Sequence, residues 1–205
     1  MGIKINGEDR VSTINTKDTT IGGIGIQHLA SNPDLYQPKL SSNFMFYVTG
    51  FENLISSTTG EKLENAEVYL KVSTDSASVP HFSQSVVTIP RGNTTIKMAG
   101  KPEFGTEPIV VNDYIGANIM EILESWQHQS YNPRTEKVGL AGDYKKEAYL
   151  VEYTPDWQQV RTWKLFGCWI QELSGDSLSY GNNDTIKVSA TIQYDYAYPM
   201  GPQEA

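Results

Sequence analysis

One cysteine, Cys168, is all the chain contains, so no intramolecular disulfide can close it. No charged-then-apolar signal segment opens the sequence, and the expectation is a protein made and kept in a reducing cytosol. No apolar run approaches the ~18 residues of a membrane helix, so passage through a membrane would need an assembly. Basic residues are scarce: 16 Lys and Arg stand against 24 Asp and Glu, a net charge of -8 with a pI near 4.9. That balance argues against tight nucleic-acid binding, which depends on Lys and Arg neutralising phosphates. It leaves open a surface past which nucleic acid merely slides. At 205 residues the chain fits one large domain or a domain plus arms. A chain of this size buries roughly 70% of its unfolded surface, so it needs no staple.

The strongest pattern present is the stretch Asp184 to Tyr198, DTIKVSATIQYDYAY. Ile186, Val188, Ala190, Ile192, Tyr194 and Tyr196 fall on one face of an extended strand. Lys187, Ser189, Thr191, Gln193 and Asp195 fall on the other, as period-two alternation demands. At ~3.3 Å per residue such a strand spans roughly 50 Å, well beyond the usual five or six residues. A long strand with one wet face suits the wall of a water-filled channel or tube. It equally suits an amphipathic strand in an ordinary sandwich.

Around this stretch the chain is strand-rich. Residues 1–42 are polar, with scattered isoleucines, an Asn6-Gly7 hairpin signal and a glycine-rich IGGIGIQ at 21–27. That segment lacks the Lys-Ser/Thr of a P-loop and a preceding apolar strand, and it reads as an extended arm that docks on a neighbour. Strands are expected at FMFYV (44–48), VYLKV (68–72), SVVTIP (85–90), TTIKMAG (94–100), PIVVNDY, AYLVEY (148–153) and TWKLFGCWI (162–170). The first two would form a hairpin across a long polar loop. One helix is expected over about residues 114–128, capped by Asn112 or Asp113. Its apolar face would carry Ile115, Ile119, Ile122, Leu123 and Trp126. Short strands plus one helix indicate a mainly β fold, a small antiparallel β-barrel or sandwich with one flanking α-helix.

Reactive chemistry is missing. Gly175-Asp176-Ser177-Leu178 spells the block around a hydrolase nucleophile, but His28, His81 and His128 all precede it and nothing else supports a triad; a polar turn is the expected reading. The three histidines are far apart, with no HExxH and no cysteine partner, so a zinc site is not expected. Glu61, Glu64 and Glu67 read as a solvated face. Trp157, Trp163 and Trp169 read as core or interface rather than as a ligand-stacking cluster. No catalytic, cofactor-binding or metal-ligating residues are assigned, and the expectation is that the protein is not an enzyme and uses no cofactor.

The blocks KVSTDSASVP, IPRGNTTIKMAGKPEFGTEPIVVNDY, ILESWQHQ, DYKKEAYLVEY and WKLFGCWIQELSGDSLSYGNNDTIKVSATIQYDYAY occur in that order. From about residue 43 to 198 they resemble the tail tube protein of T-even-type contractile phages. The most specific parts are Ile89, Pro90, Asn93, Ile96, Gly100 and Phe104, the helix ending in Trp126-Gln127, and the final LxGCW block with its long strand. Residues 1–42 are longer than the usual N-terminal segment of that family.

The resemblance implies a tail-tube β-barrel over 43–198, an N-terminal arm over 1–42 and a C-terminal tail over 199–205. It implies homohexameric rings stacked into the inner tube of a contractile tail. Lys187, Ser189, Thr191, Gln193 and Asp195 would line the lumen, with Ile186, Val188, Ala190 and Ile192 in the core. Expected partners are the tail sheath outside, the baseplate or tube initiator and the tail terminator at the ends, and tape-measure protein and genomic DNA in the lumen without sequence-specific binding. The place would be the virion tail, assembled in the host cytoplasm. Two related readings share the barrel: a baseplate tube initiator, and the tube of a phage-derived contractile injection system.

Overall fold

The computed structural model describes residues 4–5, 8–9, 38–181 and 183–201. The chain divides into two units, Met1–Lys39 and Leu40–Ala205. In the first, β1 (Lys4–Ile5) pairs with β2 (Glu8–Asp9) through the rungs Lys4↔Asp9 and Ile5↔Glu8. Asn6 and Gly7, between these two strands, lie outside the described residues. The glycine-rich stretch at 21–27 lies outside the described residues.

The second unit holds β3 (Phe44–Thr49), α1 (Ala66–Ser73), β4 (Thr74–Ala77), β5 (Phe82–Arg91), β6 (Thr94–Phe104) and β7 (Thr106–Asn112). Next come α2 (Ile119–Ser130), β8 (Tyr131–Asn132), β9 (Lys137–Val138), α3 (Ala141–Tyr144) and β10 (Lys146–Tyr153). The chain finishes with β11 (Gln159–Gly175), β12 (Lys187–Gln193) and β13 (Tyr196–Met200). Seven of these strands form one sheet in the order β3-β10-β11-β12-β7-β4, with β13 also on β11. The protein is mainly β, as its alternating segments require.

Two elements differ from the sequence expectation. VYLKV is not a strand but the middle of α1. Val68 and Val72 are 54% and 72% exposed, whereas Ala66, Leu70 and Ser73 are buried at helical spacing. Five apolar-rich residues fit either period. What decides is Glu67, whose carboxylate accepts from the backbone N–H of Gly50 and of Phe51 at 2.8 and 3.0 Å and ties the helix to the end of β3. The long stretch from Asp184 to Tyr198 is likewise not one strand: it breaks at Tyr194-Asp195 into β12 and β13.

The break has a partner in β11, the longest strand. One register runs from Thr162↔Met200 to Phe166↔Tyr196 and resumes at Trp169↔Gln193 and Ile170↔Ile192. Opposite the interruption stands Gly167 at φ +66°. Core-facing positions step by three on both strands here, from Tyr194 to Ala197 and from Cys168 to Leu165, so both strands bend together and the sheet folds over itself. Phe46, Val48, Leu150 and Leu165 from one half therefore share a core with Ile109, Val111, Val188, Ala190 and Ile192 from the other.

The expected helix is present as α2 but begins later, at Ile119. Asn118 caps it by accepting from Glu121 N–H at 3.4 Å, and Asp113 reaches forward to accept from Ile119 N–H at 2.8 Å. The residues between form turns, and Ile115 is fully exposed, not core-facing. Ile119, Ile122, Leu123 and Trp126 are buried. Each such side chain contributes about 1.5–3 kcal/mol on burial. Trp126 also donates its Nε1–H to Tyr144 O at 2.8 Å.

Candidate lumen face and projecting hairpin

The outward face of β12 is built by rung partners. Lys187 lies opposite Asn112, Ser189 opposite Val110, Thr191 opposite Pro108 and Gln193 opposite Thr106. On the other side Gln193 meets Trp169, Thr191 meets Glu172 and Ser189 meets Ser174. Hydroxyl and amide groups therefore dominate this face, while Val188, Ala190 and Ile192 point into the core. Lys187 is paired: its Nζ lies 2.7 Å from Asp75 Oδ2. That bond raises the Lys187 pKa and lowers that of Asp75, so both stay charged through neutral pH.

Four of the five lumen candidates, Lys187, Ser189, Thr191 and Gln193, thus stand together on one outward face. Asp195 stands past the end of β12, in the bend. Its N–H donates to Phe166 O and its carboxylate holds Lys145 Nζ at 2.7 Å.

A second outward surface escaped sequence reading. Across β3, β10, β11 and β13 a single row runs Tyr47–Tyr149–Lys164–Tyr198. Tyr47 stacks on Tyr149 at 5.0 Å and Phe166 on Tyr196 at 4.6 Å. Lys164 lies 4.5 Å from the Phe166 ring centroid and 2.9 Å from Glu147 Oε2; the Glu147 bond, helped by Tyr149, raises its pKa. The signal was available in the alternating tyrosines of three strand segments, but only pairing aligns them into a row.

β5 and β6 pair with each other alone, through Phe82↔Phe104 to Arg91↔Thr94. Every residue of β5 is exposed. Val87↔Met98 and Ile89↔Ile96 place four apolar side chains on one face of this hairpin. A two-stranded hairpin is marginal in water by itself, and its free edges are pairing templates.

Ser177 lies in an exposed segment between β11 and β12, its N–H accepted by Asp176 Oδ1 at 2.8 Å; His81 sits at the hairpin root and His128 in α2. Trp157, Trp163 and Trp169 make separate contacts, with Tyr153, Arg161 and Tyr144 respectively. Among the described residues no group of three or more His, Cys, Asp or Glu is placed to hold a metal ion. No described helix is long and apolar enough to cross a membrane.

The site is therefore a folded-over β-sheet with a hydroxyl-rich outward face and an exposed two-stranded hairpin carrying apolar side chains. The chain belongs to the T4-like virus tail tube protein gp19 family, whose model matches residues 42–198. It is a structural tail tube protein, not an enzyme. No curated protein matches the chain.

Solved structures show the same fold. One is a chain of the PVC sheath-tube complex of an extracellular contractile injection system in the extended state. It has a TM-score of 0.60 at 15% identity, covering 84% of this chain and 97% of that one. A chain of the PVC sheath/tube terminator matches with a TM-score of 0.57 at 16% identity, covering 82% and 99%. A chain of the anti-feeding prophage baseplate, 6-fold symmetrised, gives 0.57 at 11% identity, covering 80% and 97%.

Proposed function

We propose that this chain builds the inner tail tube of a contractile phage as stacked homohexameric rings, the conduit for DNA and tape-measure protein into the host. The family match over residues 42–198 carries this reading. The outward face of β12 supports it: Lys187, Ser189, Thr191 and Gln193 line the lumen, with Asp195 at its rim. Lys187 is neutralised by Asp75, so the wall offers passing phosphates no unpaired cation there. Electrostatic repulsion from the net negative chain acts over ~8 Å at physiological salt.

The projecting hairpin supplies the contact between copies, burying the Val87, Ile89, Ile96 and Met98 face. Residues 1–42 act as an arm onto a neighbour, 43–198 as the tube domain and 199–205 as a tail. Likeness to chains of a sheath-tube complex, a terminator and a baseplate supports a sheath outside and an initiator and terminator at the ends. The protein then resides in the virion tail after assembly in the host cytoplasm.

The alternative is a baseplate tube initiator or the tube of a phage-derived contractile injection system. Copy number separates tube from initiator: many rings per particle mean tube, a single ring means initiator. Negative-stain microscopy with light scattering across a concentration series tests the main reading. Hollow tubes with six-fold end views are expected. A monomer at every concentration that stays monomeric with added baseplates overturns it.

A further inference from the structure

Beside the hairpin root, β7 carries a buried carboxyl. Glu107 is 1% exposed, and neither carboxyl oxygen has a hydrogen-bond partner among the described residues. Around it lie groups from β12, β11 and the connection from β4 to β5. β12 contributes Ile192, its rung partner, and the bend beyond β12 contributes the phenol of Tyr194. The Cys168 thiol of β11 faces it, as does the Ser78 backbone on the connection from β4 to β5. His81, on that same connection, lays its imidazole over Gly105, where a Cβ would come within 2.6 Å of the ring. Among the described residues no lysine or arginine acts on the carboxyl.

Desolvation pushes Glu107 up to about 8, with the Ser78 backbone opposing from outside hydrogen-bonding geometry. Burial pushes Cys168 up to about 12 and raises Tyr194. Thiol and phenol therefore remain neutral where the carboxyl titrates.

The same place holds the hairpin to the core. Tyr194 donates its hydroxyl to His81 O at 3.0 Å and accepts from His81 N–H at 3.2 Å. Gly105 N–H donates to the same carbonyl at 3.1 Å. The phenol thus holds His81, just before β5, and the His81 carbonyl in turn holds Gly105, just after β6. Phe104 packs edge-on to Tyr194 at 6.0 Å and against Phe82 at 5.6 Å.

We propose that Glu107 and Tyr194 form a proton-dependent latch: the root stays closed on Tyr194 while Glu107 keeps its proton, and releasing that proton to solvent opens the root and frees the hairpin. A carboxylate in an apolar interior without a cation must reach water. The root adjoins it in the chain at Gly105, and β5 beyond is exposed throughout. Opening a peripheral segment costs less than opening the packed core. Its consequence for assembly, a pH-dependent presentation of the inter-copy hairpin, rests on the tube reading; the latch itself does not.

Hydrogen exchange by mass spectrometry on the full-length, unassembled chain tests the latch from pH 5 to 9.5, with rates corrected for intrinsic exchange. Peptides over 78–82 and 103–107 report the root, and β10 serves as the core reference. Protection of the root should fall by about tenfold per pH unit between about pH 5 and 8 and level off above, always below that of β10. Glu107→Gln should abolish that slope, with Glu107→Leu as the neutral reference should the amide variant not fold. Tyr194→Phe should leave the root open at every pH. Equal pH response in wild type and the neutral variant, or a root as protected as β10, overturns the latch whether or not tubes form.

Discussion

The carboxylate of Asp195 sits over the α-carbon of Gly167, at the one point where β11 and the β12–β13 run bend together. Gly167 has φ +66°, and a Cβ there would overlap the Asp195 carboxyl. Lys145 holds that carboxylate in place from the segment before β10. Glycine is required twice over, by the backbone angle and by the space.

Gly167→Ala should therefore cost about 1–3 kcal/mol in urea unfolding. Adding Asp195→Ala should recover only the part due to overlap, leaving the φ strain. Full recovery in the double variant would show that the backbone angle carries no cost.

Lys187→Glu removes the pair with Asp75 and sets two carboxylates near each other on an exposed face. Because the site is open to solvent, the unfolding midpoint should be unchanged and tubes should still form. Loss of tubes with an unchanged midpoint would place Lys187 in a subunit interface rather than on a free lumen wall.

Glu107 gives stability a definite pH sign. The folded chain keeps the proton up to about pH 8, whereas the unfolded chain releases it near the ordinary glutamate pKa of about 4.3. The unfolded state then binds fewer protons, so stability falls as pH rises across that interval and flattens above it. The difference between wild type and Glu107→Gln should grow over the same interval by on the order of 5 kcal/mol. Parallel pH profiles of unfolding free energy would refute this.

Ile89→Lys, at the apolar face of the hairpin, should leave the isolated chain within about 0.5 kcal/mol of wild type, as surface changes do. Tube formation should be lost, read by light scattering. Normal tubes would show that this face stays in solvent in the assembled state.

Much of the architecture was legible in residue order. Alternation in FMFYV, SVVTIP, TTIKMAG, PIVVN and AYLVEY marks strands that the fold contains, and Ile119, Ile122, Leu123 and Trp126 mark α2. The helix start was misplaced because Asp113 does accept a helical N–H, but from six residues away across a turn. VYLKV misled because five residues carry both periods, and the decision belongs to Glu67 bonding to Gly50 and Phe51.

The sequence by itself determined a mainly β, acidic chain without a reactive constellation, because period-two alternation and residue chemistry are local properties. It also determined which side chains of β12 oppose the core, since neighbours along a strand point to opposite faces. Only the tertiary structure decided where the long stretch bends, because that depends on Gly167 lying across from Asp195. It alone paired Lys187 with Asp75, aligned Tyr47, Tyr149, Lys164 and Tyr198 in one row, and left Glu107 without a partner beneath the hairpin. Those relationships join residues far apart in the chain, and strand register, which no local pattern encodes, brings them together.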